Sequence, residues 1–159
     1  MSTLILYSSK YGTAQRFAQT VAENMKSSVT ISDVEVFSGK LEDFETVVMG
    51  SCIYMGKIRK PMKKFMSANA LNLKSKKIVL FAAGGVEKEH VSTIMKEIPS
   101  ELTVLNPPVH YAGHVYDFNK MNFFERLVAR ALKIKKSEDH FREDNALKLA
   151  AELDGNPHE

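Results

Sequence analysis

Near the start of the chain, Tyr7-Ser8-Ser9-Lys10-Tyr11-Gly12-Thr13-Ala14 gathers aliphatic hydroxyls, an ammonium and a glycine into one short stretch. An apolar run, Leu4 to Tyr7, precedes it and reads as a buried strand, and an amphipathic helical pattern begins at Thr13. That junction suits an anion. The first turn of a helix leaves backbone N–H groups unpaired and carries roughly half an elementary charge, both of which stabilise a phosphate. Ser8, Ser9 and Thr13 add hydroxyl donors, Lys10 adds a point charge, and Gly12 lets the backbone turn tightly around a ligand. Serines and threonines also cap helices with nothing bound, so residue types alone leave both readings open. No Gly-Lys-Ser/Thr follows and the three-glycine dinucleotide spacing is absent, which sets aside ATP and NAD as tightly held ligands.

The elements that position this loop follow from periodicity. Ala14, Ala18, Val21, Ala22 and Met25 form the apolar face of a first helix, and Val29 to Val36 alternate as a short edge strand. Val47 to Ser51 is a continuous apolar run ending in small residues, as in a strand buried on both faces. Pro61 is placed for the first turn of a helix with Ile58, Met62, Phe65 and Met66 on one stripe, and Lys57, Arg59, Lys60, Lys63 and Lys64 crowd its start and outer face. Ile78 to Ala83 is the next buried strand, ended by Gly84-Gly85. A helix marked by Val91, Ile94, Met95 and Ile98 stops at Pro99. Val109 to Tyr116 is the last strand, with Thr103 to Leu105 either extending it or forming loop, and helical patterns at about Asn122 to Lys135 and Asp139 to Leu153 close the chain. Alternating strands and helices imply a parallel sheet wrapped on both faces, with ligands outside the carboxyl ends of its strands. Three segments follow such ends: Ser8 to Thr13, Ser51 to Lys57 and Gly84 to Glu89.

A chain of 159 residues fits one domain and buries a substantial core without disulfides or metals. Its single cysteine, Cys52, excludes an internal disulfide framework and suits a reducing compartment. Met1 to Ser9 has no basic segment leading into a long apolar core, and no apolar run approaches the roughly 20 residues that span a bilayer, so the reading is cytoplasmic.

These residues resemble a flavodoxin. Ser9 and Gly12 match the flavodoxin phosphate-loop pattern Ser/Thr-x-Thr-Gly-x-Thr, while Tyr11 and Ala14 replace two threonines of that pattern. Cys52-Ile53-Tyr54-Met55-Gly56 and Gly84-Gly85-Val86 fall where that family sandwiches the isoalloxazine ring. The resemblance implies an α/β fold with a doubly wound, five-stranded parallel sheet of order 2-1-3-4-5. It spans residues 1–159, with a late basic amphipathic insertion at about 117–137. It implies one noncovalent FMN on Ser9, Lys10, Tyr11, Gly12, Thr13 and Ala14, on Ser51, Cys52, Ile53, Tyr54, Met55 and Gly56, and on Ala83, Gly84 and Gly85. Tyr54 or Met55 would stack on the ring. The third loop has no aromatic residue and would leave one ring face open to a substrate. Within the family, Gly50 to Lys57, Ala112-Gly113, Asn122 to Leu127 and Phe141-Arg142-Glu143 are similar to the menaquinone-dependent protoporphyrinogen IX dehydrogenases.

Other candidates carry less chemistry. Cys52 has no nearby base or second cysteine in sequence and reads as a structural, partly buried thiol. His110 and His114 share a strand face but lack partners at metal-ligand spacing, so no metal is expected, and His114 is the one placed to face a substrate. The acidic strand ends of a phospho-receiver domain are missing. In Met121 to Lys136, Phe124, Leu127, Val128, Ala131 and Leu132 form an apolar face, with Arg126, Arg130, Lys133, Lys135 and Lys136 beside it. Such a helix either packs on the body or meets an anionic membrane from the inner side, where a lipophilic quinone would be found. Nucleic acid is not expected, because no recognition motif accompanies the cations. The net charge of +3 and the basic cluster at Lys57 to Lys64 favour anionic ligands. The reading is therefore an FMN oxidoreductase passing electrons from a small organic donor, such as a porphyrinogen, to a quinone. The alternatives are a soluble flavodoxin-type electron carrier and a non-catalytic flavin-binding or interaction module.

Overall fold

The computed structural model describes residues 2–85, 87–116, 118–131 and 138–155. Val86, Leu132, Lys133, Lys135 and Lys136, on which some expectations fall, lie outside them. The elements in order are β1 (Thr3–Ser8), α1 (Thr13–Glu23), β2 (Val29–Asp33), β3 (Thr46–Tyr54), β4 (Lys57–Ile58), α2 (Lys60–Ala68) and α3 (Ala70–Leu73). There follow β5 (Lys77–Ala83), α4 (Glu87–Glu97), α5 (Ser100–Thr103), β6 (Val109–Tyr116), α6 (Phe123–Ala131), β7 (Glu138–Phe141) and α7 (Glu143–Leu153).

Five strands pair in parallel in the order β2-β1-β3-β5-β6, which is the expected 2-1-3-4-5 once the two-residue β4 is set aside. The period-2 alternation of β1 sends Leu4 and Leu6 to one face and Ile5 to the other. On the first face they meet Met62 and Met66 of α2 and Ile94 of α4; on the second, Phe17 and Val21 of α1 and Leu149 of α7. Phe17 was not among the residues expected on the apolar face of α1, yet it is fully buried, its ring 4.8 Å from that of Phe81. Met25 lies beyond the end of α1.

Four expectations are corrected. The sheet gains a sixth strand, because β7 pairs antiparallel with β6 (Gly113 with Phe141, Val115 with Asp139) where the sequence suggested the start of a helix. Phe141 is drawn there by Phe17, whose ring packs edge-on at 6.3 Å. The central strand runs on to Tyr54 instead of ending at Ser51, since a hairpin pairs Ile53 with Ile58 and Tyr54 with Lys57. Thr103 belongs to the helical turn α5, folded over the buried Leu102. His110 and His114 do not serve one face together: a bulge opposite Ala82/Ala83 shifts the register between them. His110 then lies 3.3 Å from Glu152 of α7, and His114 reaches the ends of the parallel strands. No described helix is long and apolar enough to cross a membrane.

Candidate functional site

At the carboxyl ends of β1, β3 and β5, beside the point where strand order reverses between β2-β1 and β3, lies a cavity of about 380 Å³. Its floor and sides come from Lys10, Tyr11, Thr13, Cys52, Ile53, Tyr54, Met55, Ala83, Gly84 and Gly85. All ten are among the residues singled out in the sequence. A second, more open recess joined to it by Lys10 and Tyr11 reaches Gly12 at the start of α1.

The loop after β1 is held from within. Gly12, at φ +98°, occupies the left-handed region, and its N–H donates to the Ser9 hydroxyl at 2.9 Å. Beneath it, the Arg59 guanidinium donates to the Ser9 carbonyl at 2.8 Å and to the Ser8 hydroxyl at 3.3 Å. Arg59 had been grouped with the outward lysines of α2; the structure makes it a brace for the loop. Ser51 is fully buried, and its hydroxyl accepts the Arg59 backbone N–H at 3.0 Å while donating to the Cys52 carbonyl. Ala14 of α1 packs in the core, and Gly56 sits at the hairpin tip behind Met55, where Met55 and Gly56 both have positive φ. The residues Ser9, Ala14, Ser51 and Gly56 therefore shape the site from outside the cavity wall.

Lys10 does not simply project toward an anion. Its ammonium lies 3.0 Å from a Glu125 carboxylate oxygen and 3.6 Å from the centre of the Tyr54 ring. Burial pulls the ammonium down, but Glu125 and the Tyr54 phenol outweigh it and leave Lys10 above its ordinary value. Burial pushes the Cys52 thiol up, with the Lys10 backbone and Arg59 pulling it partway back, which keeps it a thiol and not a nucleophilic thiolate.

The cavity is lined beyond the three strand-end loops as well. Met121, Phe124, Glu125, Val128 and Ala129 of the late segment line the cavity, as do His90 of α4 and His114 of β6. Only His114 had been singled out as facing a ligand. One signal was available for the rest: Asn122 and Glu125 form a capping box, the Glu125 N–H donating to the Asn122 side chain at 2.8 Å and the Asn122 N–H to Glu125 at 3.2 Å. That cap sets where α6 starts and turns Glu125 toward Lys10. Lys120, one turn earlier, donates to the Tyr11 carbonyl at 3.3 Å and stands over Gly12. The third loop is shaped by its neighbours. The Tyr111 hydroxyl donates to the Gly84 carbonyl, and any Cβ on Gly84 would come within 2.2 Å of the His90 ring. Burial holds His90 below the usual histidine value against the pull of Glu89, so its ring is neutral near pH 7.

Among the described residues, three side-chain polar atoms on this wall are buried without a hydrogen-bond partner: Glu125 Oε2, which has the Lys10 ammonium beside it, and the Tyr11 hydroxyl and His90 Nδ1, which have no such charge partner. Buried polar atoms seldom stay unpaired. Flat apolar walls, two atoms in want of partners and a cationic end at a helix N-terminus together fit a planar ligand that carries a phosphate.

The fold has counterparts among solved structures. An archaeal flavodoxin superposes with a TM-score of 0.52 at 18% identity, covering 84% of this chain and 99% of its own. The Fusobacterium nucleatum flavodoxin bound to flavin mononucleotide gives 0.54 at 11% identity, with 97% of each chain covered. Rubredoxin:oxygen oxidoreductase from Desulfovibrio gigas gives 0.59 at 14% identity; this chain, covered to 99%, spans 37% of that protein. At these identities the likeness concerns the fold. No curated protein sequence matches the chain. The family model described as flavodoxin domain matches residues 4–143, and the chain belongs to the flavodoxin domain family.

Proposed function

We propose that the chain binds FMN in this cavity and acts as a quinone-linked dehydrogenase. The phosphate would lie at Ser9 to Thr13 and the recess under Lys120, and the ring between Tyr54 and the third loop. Bound there, FMN supplies the redox chemistry, and the protein's part is to position it, exclude water and set the local charge. Support for the cofactor comes from family membership and from the FMN-bound Fusobacterium nucleatum flavodoxin, together with the two unpartnered polar atoms.

The observation that carries the enzymatic reading is the roof. Phe124 and Val128 of α6 close over the ring site and yet remain partly exposed, so the cavity has an apolar mouth suited to a small lipophilic molecule. Lys57, Lys60, Lys63 and Lys64 are exposed beyond the hairpin and attract an anionic donor. A donor bearing carboxylates, of which a porphyrinogen is the one suggested by the sequence, gives up two electrons and two protons, and the quinone takes up the same to become a quinol.

The test begins with colour. The purified chain should be yellow or turn so with added FMN, and failure to take up FMN overturns the cofactor assignment. Holoprotein reduced with dithionite should then be reoxidised by a menaquinone analogue. Reoxidation by a ferredoxin-type protein but not by the quinone makes the chain an electron carrier instead.

A further inference from the structure

We infer that α6 docks on an anionic lipid bilayer. The apolar face of this helix is divided: Phe124 and Val128 border the cavity, and Phe123 and Leu127 are turned outward. Phe123 is 79% exposed, Phe124 58% and Leu127 45%, and among the described residues of α6 only Ala129 is buried. At about 3.6 residues per turn, Phe123, Leu127 and Ala131 fall on one line down the helix, with Phe124 and Val128 beside it. Arg126 and Arg130 flank that stripe and are exposed, as is Lys120 just ahead of the helix. The one acidic residue of α6, Glu125, is turned inward, its side chain 9% exposed against Lys10. Among the described residues of α6 the outward side is thus apolar and cationic, and the sequence continues with Lys133, Lys135 and Lys136. Inserted aromatic and aliphatic side chains flanked by cations match lipid tails beneath anionic headgroups.

A second copy of the chain is a poorer occupant. A helix of nine residues is about 14 Å long, too short to supply the roughly 800 Å² per partner of a stable dimer. Pairing two such faces about a two-fold axis would also set Arg126 and Arg130 of one copy against those of the other. Docking further places the Phe124 and Val128 rim of the cavity at the lipid surface, so a quinone could enter without crossing water. That consequence rests on the function proposed above; the docking does not.

The test is cosedimentation of the full chain with vesicles of phosphatidylcholine alone and with about one third phosphatidylglycerol. Binding should be about tenfold or more stronger on the anionic vesicles and should weaken with added salt. Phe123→Asp with Leu127→Asp should lower it about tenfold, at an unchanged melting temperature, because neither side chain lines the cavity or is buried. Arg126→Gln with Arg130→Gln should cut binding to anionic vesicles and flatten the salt dependence. Equal binding to both lipids, no binding to either, or full binding by both variants overturns the inference. So does a dimer in solution that the Phe123→Asp variant abolishes, which would assign the face to a second copy.

Discussion

Helix α1 and helix α6 border the same cavity from opposite sides and are held in place by different means. α1 buries Thr13, Ala14, Phe17, Ala18 and Val21 against the sheet, so the loop that leads into it is fixed by the core and braced by Arg59. α6 buries Ala129 alone, and what fastens it to the first loop is polar: the Lys10–Glu125 pair and the Lys120 bond to the Tyr11 carbonyl. Position on the first side is thus set by packing that forms with the sheet, whereas on the second it rests on charges for which, on the proposed function, the FMN phosphate would compete. Substitutions in the floor should change geometry, and those in the roof should change affinity with little effect on stability.

The largest break in that contrast should come from Gly12→Val. A Cβ there would meet nothing closer than Lys120 Nζ at 3.9 Å, so no clash arises, but φ +98° costs a branched residue about 1–2 kcal/mol or more. The loop would relax to another conformation and lose its aimed N–H groups. FMN uptake, read by flavin fluorescence quenching, should be abolished while the melting temperature falls by only a few degrees.

Next in size is Gly84→Ala, where the added methyl runs into the His90 ring and should cost about 1–3 kcal/mol of stability. Removing the obstacle tests the cause. The double variant with His90→Ala should recover most of the loss in a denaturant melt, and an additive outcome would show that the two positions do not touch.

The roof can be probed with opposite signs at one ion pair. Lys10→Ala should weaken FMN by about 1 kcal/mol, several-fold in Kd, because a cation is lost and the Glu125 carboxylate is left facing the recess at Gly12 where the phosphate is proposed to lie. Glu125→Gln should tighten FMN by freeing Lys10. If both variants weaken binding alike, the pair acts as a structural strut and does not exchange partners.

A shallower effect is expected from pH. His90 titrates below the ordinary histidine value in the folded chain because burial disfavours its charge, so below about pH 6.5 the unfolded state binds more protons. Stability should therefore be intact above that value and fall as pH drops. His90→Gln should flatten the fall in the melting temperature, and the residual slope belongs in part to His110, which burial lowers in the same direction.

The first half of the fold was legible because it depends on short-range pattern. The buried runs Leu4 to Tyr7 and Ile78 to Ala83, the Gly12 turn and the α1 stripe each state their own geometry, and a parallel sheet with helices on both faces is the arrangement that buries them. The three loops were found together for the same reason, since all follow strand ends. After Val109 the strand to Tyr116 and the helix near Asn122 were also legible, but β7 was not, because its geometry depends on partners distant in sequence. Asp139 to Phe141 reads as the beginning of a helix until β6 offers an open edge and Phe17 offers a ring to pack on. Periodicity likewise marks an apolar face on α6 without saying which way it points.

What the amino-acid order determined by itself, then, is local: where strands and helices begin, which loop has the hydroxyls and glycine for an anion, and how charge is distributed. Only the tertiary structure decided that Arg59 turns in to brace that loop, that His90 fills the space over Gly84, and that α6 roofs the cavity with Phe124 and Val128 while Phe123 and Leu127 point outward. The reason is physical. Backbone propensity and hydrophobic period act over a few residues, whereas the direction of a side chain near a site is set by whichever neighbours the packed core has left within reach of it.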